Sequence, residues 1–339
     1  MAKKKQTYYS GIGGQAVLEG VMMKNRDKYA VAVRKPNGEI EVEVEEYKGI
    51  CGDRKFAKLP FIRGVFAFID SLVLGMKVTT YSASFYEEED EKPSKTEEKL
   101  EKMLGSKADD IMMTFTVILS VIIAVALFML LPLFLSDLLG KYIRNASVIA
   151  MIEGLIRILI FIGYITGISL MKDIKRLYMY HGAEHKCINC IEKGRPLTVK
   201  DVKRSSRLHK RCGTSFLLFV VLVSVVVFFF IRVDNMALKL ILRIALVPVI
   251  AGISYEIIRL AGRSDNIIVR IISAPGLWMQ KLTTKEPDED MIEVAIASVE
   301  AVFDWKAYLK DTFGYEVDDS WMQDTPCLLY TSDAADEEP

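Results

Sequence analysis

Histidine and cysteine are scarce in this chain, and its charges cancel. Of 339 residues, 3 are histidine and 5 are cysteine, and 44 basic residues balance 44 acidic ones. The net charge of zero says little about binding partners, because the charges are unevenly placed along the chain. Solenoid-type repeats are missing, and no glycine-rich loop follows a predicted strand as a nucleotide-binding loop would. No apolar stretch follows the first lysines, so we expect no cleavable signal peptide.

Long apolar runs fill the middle of the sequence. Residues 111–135 and 213–231 carry no charge at all. The first run, at ~1.5 Å per helical residue, outspans a hydrocarbon layer of ~30 Å. Residues 147–171 and 237–260 are equally apolar in bulk but contain charged side chains. We predict a membrane α-helical protein with about four transmembrane helices; buried helices of a soluble protein are the alternative.

Charged side chains inside these runs are costly in lipid and are usually paired or functional. Glu153 and Arg157 are four residues apart, so we expect them to pair within one helix, and Arg243 either joins them or snorkels. Glu256 and Arg259 lie three residues apart near the end of the fourth run. This end is predicted to be level with the histidine-containing segment.

Basic residues predict the orientation of the helices. Residues 172–211 contain twelve Lys or Arg and four acids. Positive-inside logic places this segment and both termini in the cytoplasm. Such a basic segment could bind nucleic acid, but its place beside membrane helices favours anionic lipid headgroups. We therefore expect membrane lipids as partners, with a further membrane protein as an open option, and no nucleic acid.

The N-terminal region contains a strong hairpin signal. Residues 29–35 and 39–47 alternate apolar and polar side chains around Pro36, Asn37 and Gly38, and Asn-Gly favours a tight primed turn. We predict a small cytoplasmic α+β part that contains this β-hairpin. Residues 55–86 are too interrupted to span a membrane and predict an interfacial or protein-buried helix.

The predicted organisation has five regions. The tail reads CLLYTSDAADE at 327–337, which resembles a sequencing-adapter artefact, and it is excluded from the fold. The regions are the cytoplasmic N-terminal part at 1–86, a charged linker at 87–110, the transmembrane region at 111–260 with a cytoplasmic metal-site loop at 172–212, a cytoplasmic C-terminal helical region at 261–326, and the tail at 327–339.

The stretch His-Gly-Ala-Glu-His at 181–185 is the strongest functional signal. On a helix, His181 and His185 share one face and can reach one ion. Glu184 is close enough to orient a water molecule, and H-x-x-E-H is the order in which inverzincins use the carboxylate as general base. His209 and Cys212 follow in the same polar segment. Predicted metal ligands are therefore His181, His185, His209 and Cys212, with Glu184 as the catalytic residue.

The bound ion is predicted to be a divalent metal. Imidazole and thiolate ligands favour Zn²⁺, with iron or manganese as alternatives. In the competing interpretation, the histidines contact lipid phosphates or cap helix C-termini. Cys187 and Cys190 form a C-x-x-C, which could help close a structural zinc site, although ordinary packing is favoured for both. In a reducing cytoplasm the cysteines are expected to be thiols or ligands rather than disulfides.

Six blocks in order resemble one known family. They are GGQAVLEGVMM at 13–23, FIRG at 61–64, YHGAEHK at 180–186, RLHKRCGTSF at 207–216, SYEIIRL at 254–260 and PGLWMQKLTTKEPD at 275–288. Together they are similar to the YqhQ-like bacterial membrane proteins, which are described as predicted metal-dependent enzymes. The resemblance implies a multi-pass protein of the bacterial plasma membrane with its functional centre at the histidines.

Three functions from different classes follow from these patterns. The first is a metal-dependent hydrolase that acts on a lipid or a membrane-associated peptide. The second is a non-enzymatic membrane scaffold or assembly factor whose zinc site is structural. A transporter or channel is the third, and it has only the helix-embedded charges in its favour.

Overall fold

The computed structural model describes residues 8–52, 54–86, 108–233, 235–263 and 266–314. Most of the predicted charged linker and the adapter-like tail lie outside these residues. Within them the chain is mostly helical and has one small sheet. The strands are β1 Ile12–Val17, β2 Gly20–Asn25, β3 Lys28–Arg34 and β4 Ile40–Glu46. The helices are α1 Ile62–Ser84, α2 Ala108–Val125, α3 Leu131–Gly140, α4 Ala146–Ile168, α5 Lys172–Glu192, α6 Val199–Lys203, α7 Gly213–Phe229, α8 Met236–Ala245, α9 Val247–Arg263, α10 Ile267–Thr283, α11 Glu289–Val302 and α12 Trp305–Phe313.

The sheet is an antiparallel meander in the order β1-β2-β3-β4. Its β3–β4 pair confirms the predicted hairpin, and Gly38 supplies the positive φ of 90° in the turn. The β1–β2 hairpin was not predicted, because its turn at Leu18 and Glu19 contains no Asn-Gly signal. Glu19 adopts a φ of 49° there, a left-handed conformation that is uncommon for a residue with a side chain.

Helices cover both faces of the sheet. Val21, Met23 and Ala32 pack with α5 and α11 in one buried cluster. Met22 and Val31 point to the other face, where they pack against α1. The alternation has the two-residue period of a strand, and burial of each large apolar side chain stabilises the fold by about 1.5–3 kcal/mol.

Much of the predicted loop at 172–212 is helix α5. Every residue from Tyr180 to Glu192 is buried, because the sheet packs on one side of this helix and α11 on another. The two histidines therefore lie on a rigid, internal element. The region at 261–326, predicted to be helical, contains α10, which continues through Pro275 to Thr283, and α11.

Two helical segments within the described residues are long and apolar enough to cross a membrane. They are Thr114–Gly140 and Ala146–Ile168. A third candidate is the pair Met236–Ala245 and Val247–Gly262, which is bent by 42°. The apolar helix Gly213–Phe229 is shorter, at 17 residues. The structure thus has two or three candidate spans where the sequence predicts about four, and it indicates membrane association.

Two sets of charged side chains in the apolar helices form ion pairs. Arg157 donates to Glu153 at 2.7 Å, which confirms the predicted pair, and Arg243 donates to both Glu153 oxygens at 2.6 and 2.8 Å. Glu256, which the sequence groups with Arg259, instead accepts from Arg63 of α1, with 2.7 Å to Nε. This ion pair fixes α1 against α9.

Candidate metal centre

Two helices bring three ligand residues together. His181 and His185 lie one turn apart on α5, with ring centroids 4.4 Å from each other. Cys212 caps the N-terminus of α7, and its Sγ lies 3.1 Å from Nε2 of His181. One ligand atom from each of the three residues lies within 4.8 Å of the others. All three side chains are buried.

Backbone carbonyls fix both imidazole rings. Nδ1 of His181 lies 2.8 Å from the Thr283 carbonyl, and Nδ1 of His185 lies 2.6 Å from the Arg207 carbonyl. A carbonyl oxygen only accepts, so each Nδ1 carries a hydrogen, and Nε2 is the ring nitrogen left to face the other ligand residues. This outer arrangement is typical of metal-ligating histidines.

Nε2 of His185 is buried and has no hydrogen-bond partner. An unpaired buried nitrogen costs about 1–3 kcal/mol, so such an atom calls for an explanation. A metal ion between the three ligand atoms would supply the missing partner. Two imidazoles and a thiolate also form a donor set that suits zinc. The residues present therefore fit a metal ion.

The electrostatics of the centre favour a thiolate at Cys212 and an imidazolium at His181. Burial disfavours charge on His181, but the neighbouring Cys212 outweighs it and raises the pKa of His181 to about 9. Burial likewise disfavours the Cys212 thiolate, yet His181 and His185 hold the pKa of this thiol well below its usual range. A pre-formed thiolate is the form that binds metal.

Glu184 lies between α5 and strand β1. Its side chain is buried, and this burial raises the pKa of the carboxyl group although His185 and His181 oppose the shift. The backbone N–H of Gly14 donates to it. A Cβ added at Gly14 would lie 3.0 Å from Cγ of Glu184 and 2.5 Å from the Met22 carbonyl, so glycine is required for this close approach.

His209 lies beside the three-residue cluster and is not part of it. Its ring centroid is 5.7 Å from that of His185, and its Nε2 is 3.5 Å from Glu192. Burial lowers the pKa of His209. Glu192 also accepts from Arg211 and from Ser10, whose N and Oγ lie 3.0 and 2.9 Å away. The structure thus places the predicted fourth ligand against a carboxylate.

Sequence reasoning missed the residues that hold the loop before Cys212. The fully buried Gln280 of α10 accepts from the His209 N–H at 2.8 Å and donates to the His209 carbonyl at 2.6 Å. Arg207 donates to the Thr284 carbonyl at 3.1 Å. The 275–288 block contains Gln280 and Thr284, but a polar side chain in an amphipathic helix gives no sign of its distant partner.

Gly182 allows α5 to touch the segment that follows α10. A Cβ at this position would lie 2.0 Å from the carbonyl oxygen of Lys285. No side chain fits there, because the obstacle is backbone. Glycine between the histidines therefore lets the Thr283 carbonyl reach His181.

A family model described as "Protein of unknown function (DUF1385)" matches residues 59–305. The chain belongs to this family. It is also similar to the uncharacterized protein YqhQ of Bacillus subtilis (strain 168), with 38% identity over 288 residues, which are 84% of this chain and 90% of that protein. These matches confirm the resemblance to YqhQ-like proteins. No solved structure matches the chain.

Cys187, Cys190 and Glu19 contribute to the packing around α5. Cys187 and Cys190 lie on the buried face of α5, where burial raises the pKa of Cys190 to about 12 and holds that of Cys187 well above its usual range. Both are therefore thiols, in agreement with the packing role favoured for them. Glu19 pairs with Arg176 and accepts from the Tyr180 hydroxyl at 3.1 Å, so it ties the β1–β2 turn to α5.

Proposed function

We propose that this protein is a metal-dependent membrane hydrolase with its metal centre on the cytoplasmic side. His181, His185 and Cys212 would hold the ion, and zinc is the preferred metal. The observation that carries the proposal is the buried, unpartnered Nε2 of His185, which faces a thiolate and a second imidazole.

Three protein ligands are the number typical of catalytic zinc sites, because a fourth position stays open to water or substrate. When bound, zinc supplies Lewis-acid activation of a water nucleophile. Glu184 supplies a carboxylate beside the ligands, and the Gly14 N–H orients it. In this position Glu184 can accept a proton from the nucleophile and return it to the leaving group.

The substrate is proposed to be a lipid or a membrane-associated peptide. Cys212 directly precedes the apolar helix α7, so the centre lies where that helix would enter the bilayer. With α7 and the bent α8–α9 pair counted as spans, the chain crosses four times. The basic segment at 172–211 then faces the cytoplasm under the positive-inside rule.

A structural zinc site in a membrane scaffold is the second candidate. Burial favours it, because His181, His185, Cys212 and Glu184 are each at most 9% exposed. In this case Glu184 would close the site as a fourth ligand, and no position would remain open.

Elemental analysis of the purified wild type, His181→Ala and Glu184→Gln separates these functions. We expect about one zinc per chain in the wild type and its loss in His181→Ala. For a hydrolase, Glu184→Gln keeps zinc but loses turnover on a panel of phospholipids and membrane peptides. A structural site would lose zinc on Glu184→Gln. Full metal content in His181→Ala would refute the site.

A further inference from the structure

Helix α10 has an exposed apolar face. Ile267, Ile268, Ile271 and Trp278 are 62%, 61%, 66% and 49% exposed. Contiguous large apolar side chains on a surface mark an interaction site. The opposite face is buried at every third or fourth residue, at Val269, Ser273, Gly276, Met279 and Thr283.

The buried face of α10 reaches the metal centre. Gln280 holds both backbone groups of His209, and the Thr283 carbonyl accepts from Nδ1 of His181. The Thr283 hydroxyl also donates to that of Thr214 at 3.2 Å, two residues after Cys212. A shift of α10 would therefore move the segment that carries the thiolate ligand.

The buried face of α10 packs against a candidate membrane span. Met279 packs with Phe161 and Ile165 of α4, which is one of the candidate spans. The exposed side chains Arg270 and Lys281 flank the apolar face. An apolar face with basic residues beside it is the pattern of a helix that lies in the interface of an anionic bilayer.

We propose that α10 lies in the cytoplasmic interface of an anionic bilayer and that this lipid contact holds the 207–212 segment where Cys212 meets His181 and His185. The lipid would thus be a partner that regulates the metal centre. The inference deepens the proposed function and rests on it only for the role of the metal.

Tryptophan quenching tests the lipid contact. The full chain is placed in nanodiscs of phosphatidylglycerol or phosphatidylcholine with brominated acyl chains. A Trp278-only protein carries Trp305→Phe and Trp321→Phe, and a Trp305-only protein carries Trp278→Phe and Trp321→Phe. We expect loss of Trp278 emission, most strongly in phosphatidylglycerol, and constant emission from the buried Trp305. Unquenched Trp278 overturns the contact, and equal quenching in both lipids overturns the preference for anionic lipid.

Hydrogen–deuterium exchange tests the coupling. Ile271→Asn places a polar group on the exposed apolar face of α10. The control Ile118→Asn makes the same change on α2, at a side chain that is 54% exposed. We expect faster amide exchange at residues 207–216 in Ile271→Asn than in Ile118→Asn, and in Gln280→Leu as well. Equal exchange in the two asparagine variants overturns the coupling. Tryptophan quenching and amide exchange do not depend on zinc. If the purified protein contained no zinc, the proposed function would be refuted and the lipid contact of α10 would still be tested.

Discussion

Nε of Arg157 donates to the carbonyl of Phe128 at 3.1 Å. This hydrogen bond joins α4 to the helical segment Ala126–Leu130 that lies between α2 and α3. Pro132 lies four residues after Phe128 and has no N–H to offer that carbonyl. The helix is a π-turn at Ala126–Leu130, just before the proline. The Arg157 guanidinium thus replaces the backbone N–H that Pro132 lacks. In a membrane helix with an internal proline, a neighbouring group has to satisfy the freed carbonyl in this way.

We predict that Arg157→Leu destabilises the protein by about 3–5 kcal/mol, because it breaks a buried ion pair and leaves the Phe128 carbonyl short of a donor. In a Pro132→Ala background the backbone N–H is restored, so the same substitution should cost about 1 kcal/mol less. Thermal unfolding in detergent of the wild type and the three variants measures this difference. Strict additivity of the two substitutions would show that Arg157 does not serve the proline site.

Gly182→Ala should displace the segment around Lys285 and with it the Thr283 carbonyl that orients His181. We expect a loss of zinc affinity of roughly ten- to hundredfold, the usual effect of losing an outer partner of a metal ligand. The matched control is Gly163→Ala, where an added Cβ meets nothing within 4 Å. Competition with a zinc-binding dye measures both. Unchanged affinity in Gly182→Ala would contradict the close approach.

Histidine variants test which imidazoles hold the ion. His185→Ala should lose zinc, since it removes a ligand nitrogen. His209→Ala should keep it, because the His209 ring faces Glu192 and lies outside the three-residue cluster. Elemental analysis of the two purified variants measures the zinc bound per chain. Loss of zinc from both variants would support the four-ligand set predicted from sequence.

Cys212 should be the most reactive of the three cysteines in the core of the metal-free protein. Its lowered pKa means that the thiolate is already formed at neutral pH, so its alkylation rate should barely fall between about pH 8 and pH 7, a window below the usual thiol pKa of about 8.5. Cys190, with a pKa raised to about 12, should stay unlabelled throughout. Iodoacetamide labelling with peptide mapping reads each site, and added zinc should protect Cys212. A steep fall in the Cys212 rate with falling pH would show that the thiol is protonated.

Local patterns predicted much of the fold. The Asn37-Gly38 turn was visible because its residue types match the backbone that it adopts. The β1–β2 hairpin was not, since Glu19 takes a left-handed φ that its residue type does not predict, and its carboxylate contacts Arg176 and Tyr180, which are distant in the sequence. The apolar runs were recognised as membrane candidates. The sequence predicts about four spans and the structure has two or three candidates, because α7 is short and the α8–α9 pair is bent.

The sequence by itself determined that His181, Glu184 and His185 share a helical turn, because the spacing of three and four residues is a property of any α-helix. It also determined that long apolar runs flank this turn. Only the tertiary structure decided that Cys212 approaches the two histidines, that His209 turns to Glu192, and that Gln280 holds the loop. These contacts join residues that are distant along the chain, and their geometry depends on how α5, α7 and α10 pack, which no local pattern specifies.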